Sequence, residues 1–399
     1  VDGSSLRALR ILFGALMVVA TLRFWWKGWI DSLFVAPSLH FHYFGFGWVN
    51  PLPGVGMYVV FGVMLASAIA ITLGRWYRPA ILTFFLTFTY AELCEKAAYL
   101  NHYYLVSLLA LLLAFMPATS PCVPRWTLLA LRTQLAIVYF YAGVAKLDAD
   151  WLLRAEPLQL WLTARSDMLA APAIAFVFAW AGALFDLSAP LFLFWRRTRG
   201  AFFVIVVVFH LLTAVLFPSL GLFPWIMIGC ATIFLAPEWP RRWLRDLAPS
   251  TPRRSVPLAM LAVFFAIQLL VPLRFALYPG SPSLTDQGFR FAWRVMIVDK
   301  VGNVEFRVKE RDGDRRWSVS PSEYLTALQT QALGQSPDMV LELARRIAED
   351  FRTRGIEVEV YADAFVALNG RPSQRLIDPN VNLAAERDSL APSPWILPK

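Results

Sequence analysis

This sequence predicts a mainly α fold: a polytopic bundle of membrane helices followed by a small α+β extramembrane domain. Three observations carry that prediction. Of 399 residues, 58% are hydrophobic and only 16% charged, with a mean hydropathy of +0.53, which is too apolar for a water-soluble globule. Nine apolar stretches approach the length of a membrane-spanning helix: 6–23, 53–74, 79–100, 103–118, 126–147, 169–195, 200–217, 221–236 and 257–275. After about residue 280 that pattern gives way to short alternating segments and one amphipathic helix.

The basic residues thread these spans. Arg7 and Arg10, then Arg75 and Arg78, then Arg125, then Arg196, Arg197 and Arg199, then Arg241, Arg242, Arg245, Arg253 and Arg254 alternate onto one side. The positive-inside bias places that side in the cytoplasm, giving about nine spans, N-in and C-out. The expected division is a transmembrane catalytic domain over 1–279 and an extracytoplasmic α+β domain over 280–399. The lipid bilayer, a bacterial inner membrane, is the expected setting. Topology accounts for most of the net charge of +9, and no separate basic face of the kind that binds nucleic acid is present. Cys94, Cys122 and Cys230 lie in or beside apolar segments without a C-x-x-C pattern, so neither a zinc site nor a disulfide framework is expected. The first apolar run lacks a small-residue cleavage site, and no cleaved signal peptide is expected.

Between the first two spans, residues 24–52 carry Phe24, Trp25, Trp26, Phe41, Tyr43, Phe44, Phe46 and Trp48. That composition suits an outer-interface loop that covers something. Beyond residue 280, 291–298 reads as a strand, and Val304 to Ser320 as a hairpin around Asp312-Gly313-Asp314. Helices are expected over 321–333 and 337–353, the second with Ser336 as N-cap. Strands follow near 356–361 and 364–368, with a turn at Asn369-Gly370.

Polar residues collect in the outer half of the predicted bundle. Glu92, Glu95, Lys96, Asn101 and His102 surround one outer turn, Lys146 ends the fifth span with Asp148 and Asp150 beside it, and His210 lies in the seventh. An amine at the edge of a membrane span is costly unless paired, solvated or neutral, and a neutral amine can act as a base. The plainer reading of Lys146 is a snorkelling anchor paired with Asp148 or Asp150. Glu95 with Lys96 reads plainly as a solvated loop pair, Asp186 as a structural residue bonded to a neighbouring helix, and Arg132 as a snorkelling side chain. An amine, two imidazoles and an amide at similar depth on one side favour chemistry. His40 and His42 form the only short histidine pair, without carboxylates at ligand spacing, and no metal site is expected. There is no phosphate-binding loop, dinucleotide fingerprint or G-x-S-x-G.

The run from Tyr139 through Lys146, Leu147, Asp148, Ala149 and Asp150 to Trp151 resembles the signature of the vitamin K-dependent γ-glutamyl carboxylase family, whose membrane part is the HTTM domain. Glu95-Lys96, Asn101-His102-Tyr103-Tyr104-Leu105, Asp186-Leu187-Ser188-Ala189-Pro190, Phe209-His210, Gly221-Leu222-Phe223 and Ala236 to Arg241 match further blocks in the same order. Phe291-Ala292-Trp293 and Leu376-Ile377-Asp378-Pro379 extend the likeness into the outer domain. The resemblance implies a short prokaryote-type carboxylase. Such an enzyme would couple epoxidation of a quinol (reduced vitamin K or menaquinol) by O2 to addition of CO2 at a peptide or protein glutamate, without biotin, ATP or metal. By resemblance, Lys146 is the amine that deprotonates the quinol, Asn101 and His102 hold one ring oxygen, and His210 serves the other oxygen or proton movement. Phe223 would pack the ring, while Trp293 and Met296 match positions near the glutamate entrance.

The chain departs from the animal enzymes at three places. Gln331, Ala332 and Ser336 stand where those enzymes have two arginines and a histidine, and Ala145 stands where they pair a second lysine with Lys146. The chain also ends soon after Trp395, so much of the propeptide-gripping region is expected to be missing. A quinol oxygenase without carboxylation and a non-enzymatic quinone-binding module are the other readings.

Overall fold

The computed structural model describes residues 1–244 and 258–397; Arg245, Arg253 and Arg254 of the expected cytoplasmic group lie outside the described residues. The membrane part is built from α1 (Ser4–Trp26), α2 (Gly56–Leu73), α3 (Tyr77–Cys94), α4 (Asn101–Phe115), α5 (Arg125–Ala145), the short α6 (Ala149–Arg154) and α7 (Leu158–Arg165), α8 (Pro172–Phe194), α9 (Arg199–Leu216), α10 (Phe223–Ala231) and α11 (Leu258–Leu270). Among the described residues six helices are long and apolar enough to cross a membrane: α1, α2, α5, α8, α9 and α11 with its 3-10 extension to Leu277. The other three expected spans are helical but shorter or more polar. Asn101–Phe115 and Phe223–Phe234 are short, and Tyr77–Cys94 carries Arg78 and Glu92.

Packing runs along the chain. The first helix packs on α2, α2 on α3 and α3 on α4, while α5 lies against α8, and α9 against α10, which returns to α1. Large apolar side chains face outward, among them Val204, Val208 and Val215 on α9 and Val263, Ile267 and Leu270 on α11. A lipid-facing perimeter accounts for them, whereas in water they would form a large exposed patch. The arginines inside the bundle cap helix ends. Arg10 donates from Nη1 to the Ile71 carbonyl at 2.5 Å, serving the unpaired end of α2. Gly74 closes that end at φ 72°, and a Cβ there would lie 2.5 Å from the same Nη1. Arg132 donates to the carbonyls of Ile233 (2.9 Å) and Leu235 (3.1 Å) at the end of the α10 segment.

The outer part follows after α12 (Pro282–Thr285). It contains β1 (Lys300–Glu310), β2 (Arg316–Val319), α13 (Ala327–Leu333), α14 (Pro337–Thr353), β3 (Val358–Leu368) and β4 (Gln374–Arg375). The strands form one antiparallel sheet, order β2-β1-β3-β4, with Phe306 opposite both Val319 and Ala362. On α14, Met339, Leu343, Ala344 and Ile347 are buried against this sheet's core, the apolar stripe its sequence spells.

Three expectations are corrected here. Residues 291–298 form no strand: Phe291, Trp293 and Met296 all have positive φ (60°, 56° and 53°), and that backbone cannot run extended. The two strands near 356–361 and 364–368 are one, because Ala362 and Ala364 keep the inward alternation through Asp363. Ser336 occupies the N-cap position of α14 without capping it; its hydroxyl instead donates to Asp286 (3.0 Å) and accepts from Arg290 (2.8 Å).

The crossing of α5 and α8 positions the candidate site. Gly143 lies at that crossing, where a Cβ would sit 2.8 Å from Leu187 Cγ and 2.9 Å from its backbone nitrogen. Backbone cannot step aside as a side-chain tip can. Gly143→Ala is therefore expected to destabilise the detergent-solubilised protein by about 1–3 kcal/mol, read as a lowered thermal unfolding midpoint. An unchanged midpoint would show that the two helices are not held at this distance.

Candidate active site

Lys146 follows the last residue of α5. The chain turns there because Asp148 caps α6, accepting from the Asp150 amide at 2.9 Å. The lysine side chain then lies back along its own helix, with Nζ 3.3 Å from the Ala142 carbonyl and 2.7 Å from Asp186 Oδ2 on α8. Both side chains are less than a tenth exposed. Trp151 covers the ammonium, its ring centroid 5.3 Å from Nζ, and is fixed by an indole N–H donated to the Ala179 carbonyl at 2.8 Å.

The partner of Lys146 is therefore neither of the neighbouring aspartates. Asp150 is held by Arg371 and by Asn369 (3.2 Å) from the turn after β3. Asp186, read from the sequence as a structural residue bonded to a neighbouring helix, does bond to one, and its partner there is Lys146. A carboxylate in the middle of an apolar span was the available signal, since such a group requires a partner at its own depth.

Lys146 and Asp186 line a cavity of about 210 Å3. Its walls are otherwise almost wholly apolar, with Val177, Phe178, Leu212 and Phe223 among them; His210 and Tyr139 bring the remaining titratable groups. The Tyr139 hydroxyl lies 3.1 Å from His210 Nε2, and His210 Nδ1, buried, has no hydrogen-bond partner among the described residues. The irregular 291–298 loop closes the cavity with Val295 and Met296.

The other expected residues stand apart from this cavity. His102 borders a second, smaller space with Glu92 and Arg23. Phe223 separates the two, its ring centroid 5.8 Å from His102 and 5.9 Å from His210. Asn101 donates to the Arg294 carbonyl (3.2 Å) and accepts from the Tyr99 hydroxyl (3.0 Å), so it holds the 291–298 loop. Trp293 is buried behind that loop, stacked on Tyr104 with centroids 5.0 Å apart.

The outer domain is docked by buried charge. Glu95 and Lys96 are not a solvated pair. Glu95 accepts from Gln329 (2.8 Å) and meets His40 (3.2 Å), while Lys96 pairs with Asp338 (3.0 Å) and Glu342 (3.3 Å). His42 faces Glu342 at 2.9 Å. Phe41 from the aromatic loop is fully buried in the outer core, so this loop does cover something.

Ala332 and Ser336, two of the positions that depart from the animal enzymes, line a cavity of about 220 Å3 with Lys96, Arg290 and Lys300. Arg290 pairs with Asp286 (3.1 Å) and Asp338 (2.9 Å). Lys300 makes no ion pair among the described residues and donates only to the Leu284 carbonyl, at 2.6 Å.

Two family models match the chain. The HTTM domain covers residues 1–239, and the lumenal domain of vitamin K-dependent gamma-carboxylase covers residues 253–399. No solved structure matches it.

Burial, only partly offset by Asp286, pushes the Lys300 ammonium down to about 8 from the ordinary 10.5. Between those two values the unfolded chain holds a proton that the folded one has lost, so stability rises with pH across that window. The cost of burying the charge is fully present below pH 8. Lys300→Met is expected to be more stable than wild type at pH 7, by up to about 3 kcal/mol, and to lose most of that advantage by pH 10. A pH-independent difference in thermal unfolding would show that Lys300 carries no such cost.

Proposed function

This chain belongs to the vitamin K-dependent gamma-glutamyl carboxylase family, and from that premise we propose that it oxidises a membrane quinol to drive carboxylation of peptide glutamate. The observation that carries the reading is the buried Lys146–Asp186 pair opening on an almost wholly apolar cavity between membrane helices.

The residues fit such a quinol. The cavity offers aromatic and aliphatic walls for a flat ring, an amine at one place and, at another, an imidazole whose Nδ1 has no hydrogen-bond partner among the described residues. When bound, a quinol (reduced vitamin K or menaquinol) oxidised by O2 supplies a base strong enough to remove the γ-proton of glutamate, which CO2 then replaces. The protein's part is to start and shelter that chemistry. Nζ of Lys146 accepts the proton of a ring hydroxyl. If Tyr139 donates to Nε2 of His210, neutral His210 carries its proton on Nδ1 and can donate from there to a ring oxygen. Val177, Phe178 and Leu212 exclude water that would quench a strong base. On this reading Asn101 acts by holding the 291–298 loop, Met296 and Phe223 by shaping the cavity, and Trp293 by anchoring that loop. His102 assists from behind Phe223.

For the glutamate, the cavity holding Lys96, Arg290 and Lys300 brings cations to the region where the animal enzymes' arginines are replaced. Lys300, which makes no ion pair among the described residues, is the natural contact for a substrate carboxylate. The outer domain, on this reading, faces away from the cytoplasm and presents this cavity to an extracytoplasmic peptide.

The test supplies purified protein with reduced vitamin K, O2 and labelled bicarbonate, with and without a glutamate-containing peptide. Epoxide and labelled peptide are both expected. Lys146→Met should lower epoxide formation by roughly a hundredfold or more, and wild-type rates in that variant would remove Lys146 from its assigned role. Epoxide without label in the peptide would leave a quinol oxygenase, and neither product would leave a quinone-binding module.

A further inference from the structure

We infer that Asp186 is the proton acceptor behind Lys146, so that the lysine relays a proton and the carboxylate keeps it. The inference rests on the quinol-oxidising reading of the cavity and concerns how that reaction is started.

An ammonium has three N–H donors. Two are accounted for by Asp186 Oδ2 at 2.7 Å and the Ala142 carbonyl at 3.3 Å, leaving one for an occupant of the cavity. Asp186 has Lys146 as its only side-chain hydrogen-bond or ion-pair partner among the described residues. The lysine stem passes Gly182, one turn earlier on α8, at ordinary van der Waals distance. A Cβ there would lie 3.9 Å from Lys146 Cε and 3.6 Å from the Trp151 ring.

Charge decides between two ways of removing a hydroxyl proton here. A neutral lysine acting alone would turn two uncharged groups into two ions inside an apolar cavity. The relay creates no additional charge. Lys146 first gives Asp186 the proton it shares with it, an N–H bond breaking as an O–H bond forms on Oδ2; the lone pair so freed on Nζ then takes the ring proton, the ring O–H bond breaking as a new N–H bond forms. Lys146 is an ammonium before and after, while one negative charge moves from Asp186 to the ring oxygen, beside the same cation. Since each ion without a counter-charge is costly in such surroundings, the relay is the lower route.

The alternative acceptors are engaged elsewhere. The Tyr139 hydroxyl of α5 and His210 Nε2 of α9 are hydrogen-bonded to each other at 3.1 Å, and with Tyr139 as the donor His210 Nδ1 carries a proton and cannot accept one. Asp148 caps α6, and Asp150 is bound by Arg371 and Asn369. Arg294, from the loop that closes the cavity, stands over the Phe275 ring and adds only positive charge.

The experiment compares wild type, Asp186→Asn and Asp186→Glu, each confirmed monodisperse in detergent. It uses two readouts: epoxide formation across pH with reduced vitamin K, and modification of Lys146 in the quinol-free protein by an apolar amine-reactive reagent, followed by mass spectrometry. Asp186→Asn should lose roughly a hundredfold in rate, recovering as pH rises because an unpaired lysine must be neutral to act as a base. Asp186→Glu should restore much of the rate and the wild-type profile. Lys146 should be modified faster in Asp186→Asn, where no carboxylate holds it as an ammonium. Asp186→Asn with the wild-type rate and profile overturns the inference. So does an equal loss in both variants with an unshifted profile, or unchanged labelling. If wild type makes no epoxide, the quinol reading itself fails, and the relay with it.

Discussion

A lysine and an aspartate held 2.7 Å apart between two membrane helices impose the strictest requirement in this structure. Each charge alone would cost several kcal/mol to hold away from water, and removing one partner from such a pair costs about 3–5 kcal/mol because the other is left uncompensated. The two groups come from positions 146 and 186, so the pair exists only if α5 and α8 meet at one height and distance. Gly143 sets the distance by letting Leu187 approach the α5 backbone. Asp148 sets the height by ending the turn after α5 and starting α6. Trp151, carried on α6, then roofs the ammonium and ties itself to α8 through the Ala179 carbonyl. Local turn chemistry, helix packing and the site are thus one argument.

The same constraint reaches the outer domain. Asp150 stands beside Trp151 and is bound by Arg371 and Asn369 of the turn after β3. Asn369 also accepts from the Asp299 amide at 2.9 Å, and Asp299 accepts from Trp161 of α7 at 2.6 Å. The roof over Lys146 is therefore fastened to the sheet through α6, α7 and one turn. On the other side Glu95 and Lys96 plug into α13 and α14. Buried hydrogen-bonded charges are unforgiving of displacement, so these contacts fix where the outer domain sits over the bundle.

Hydropathy made the membrane helices legible, because a lipid-facing helix must be apolar over most of its length. Helix α14 was legible to the residue, since Pro337 and the spacing of Met339, Leu343 and Ile347 mark its start and its buried face. The failures have a common cause. Residues 291–298 alternate as a strand would, yet three of them adopt positive φ because Asn101, Tyr99 and Tyr104 pull the loop into the bundle. Glu95 and Lys96 look solvated until α13 and α14 are placed over them. Asp186 looks structural until its partner is known. In each case the deciding neighbour lies at least 40 residues away in sequence, where no local pattern records it.

Backbone strain then separates the two halves of the site. Three non-glycine residues at positive φ within six positions cost of order 1–3 kcal/mol each, and the chain accepts this at a segment that faces both the Lys146 cavity and the outer domain. Met296 and Val295 border the cavity, Trp293 anchors the loop against Tyr104, and Lys300 begins β1 beyond, lining a second cavity and making no ion pair among the described residues. An extended strand over 291–298 would alternate its side chains to two faces, and could not bring Val295 and Met296, neighbours in sequence, to the same cavity wall. The irregular backbone can, and it delivers the first strand of the sheet to the cavity lined by Asp286, Arg290 and Lys300 within four residues. That geometry requires the strain, and it links the cavity holding Lys146 to the cavity holding Arg290 and Lys300 through a single short loop.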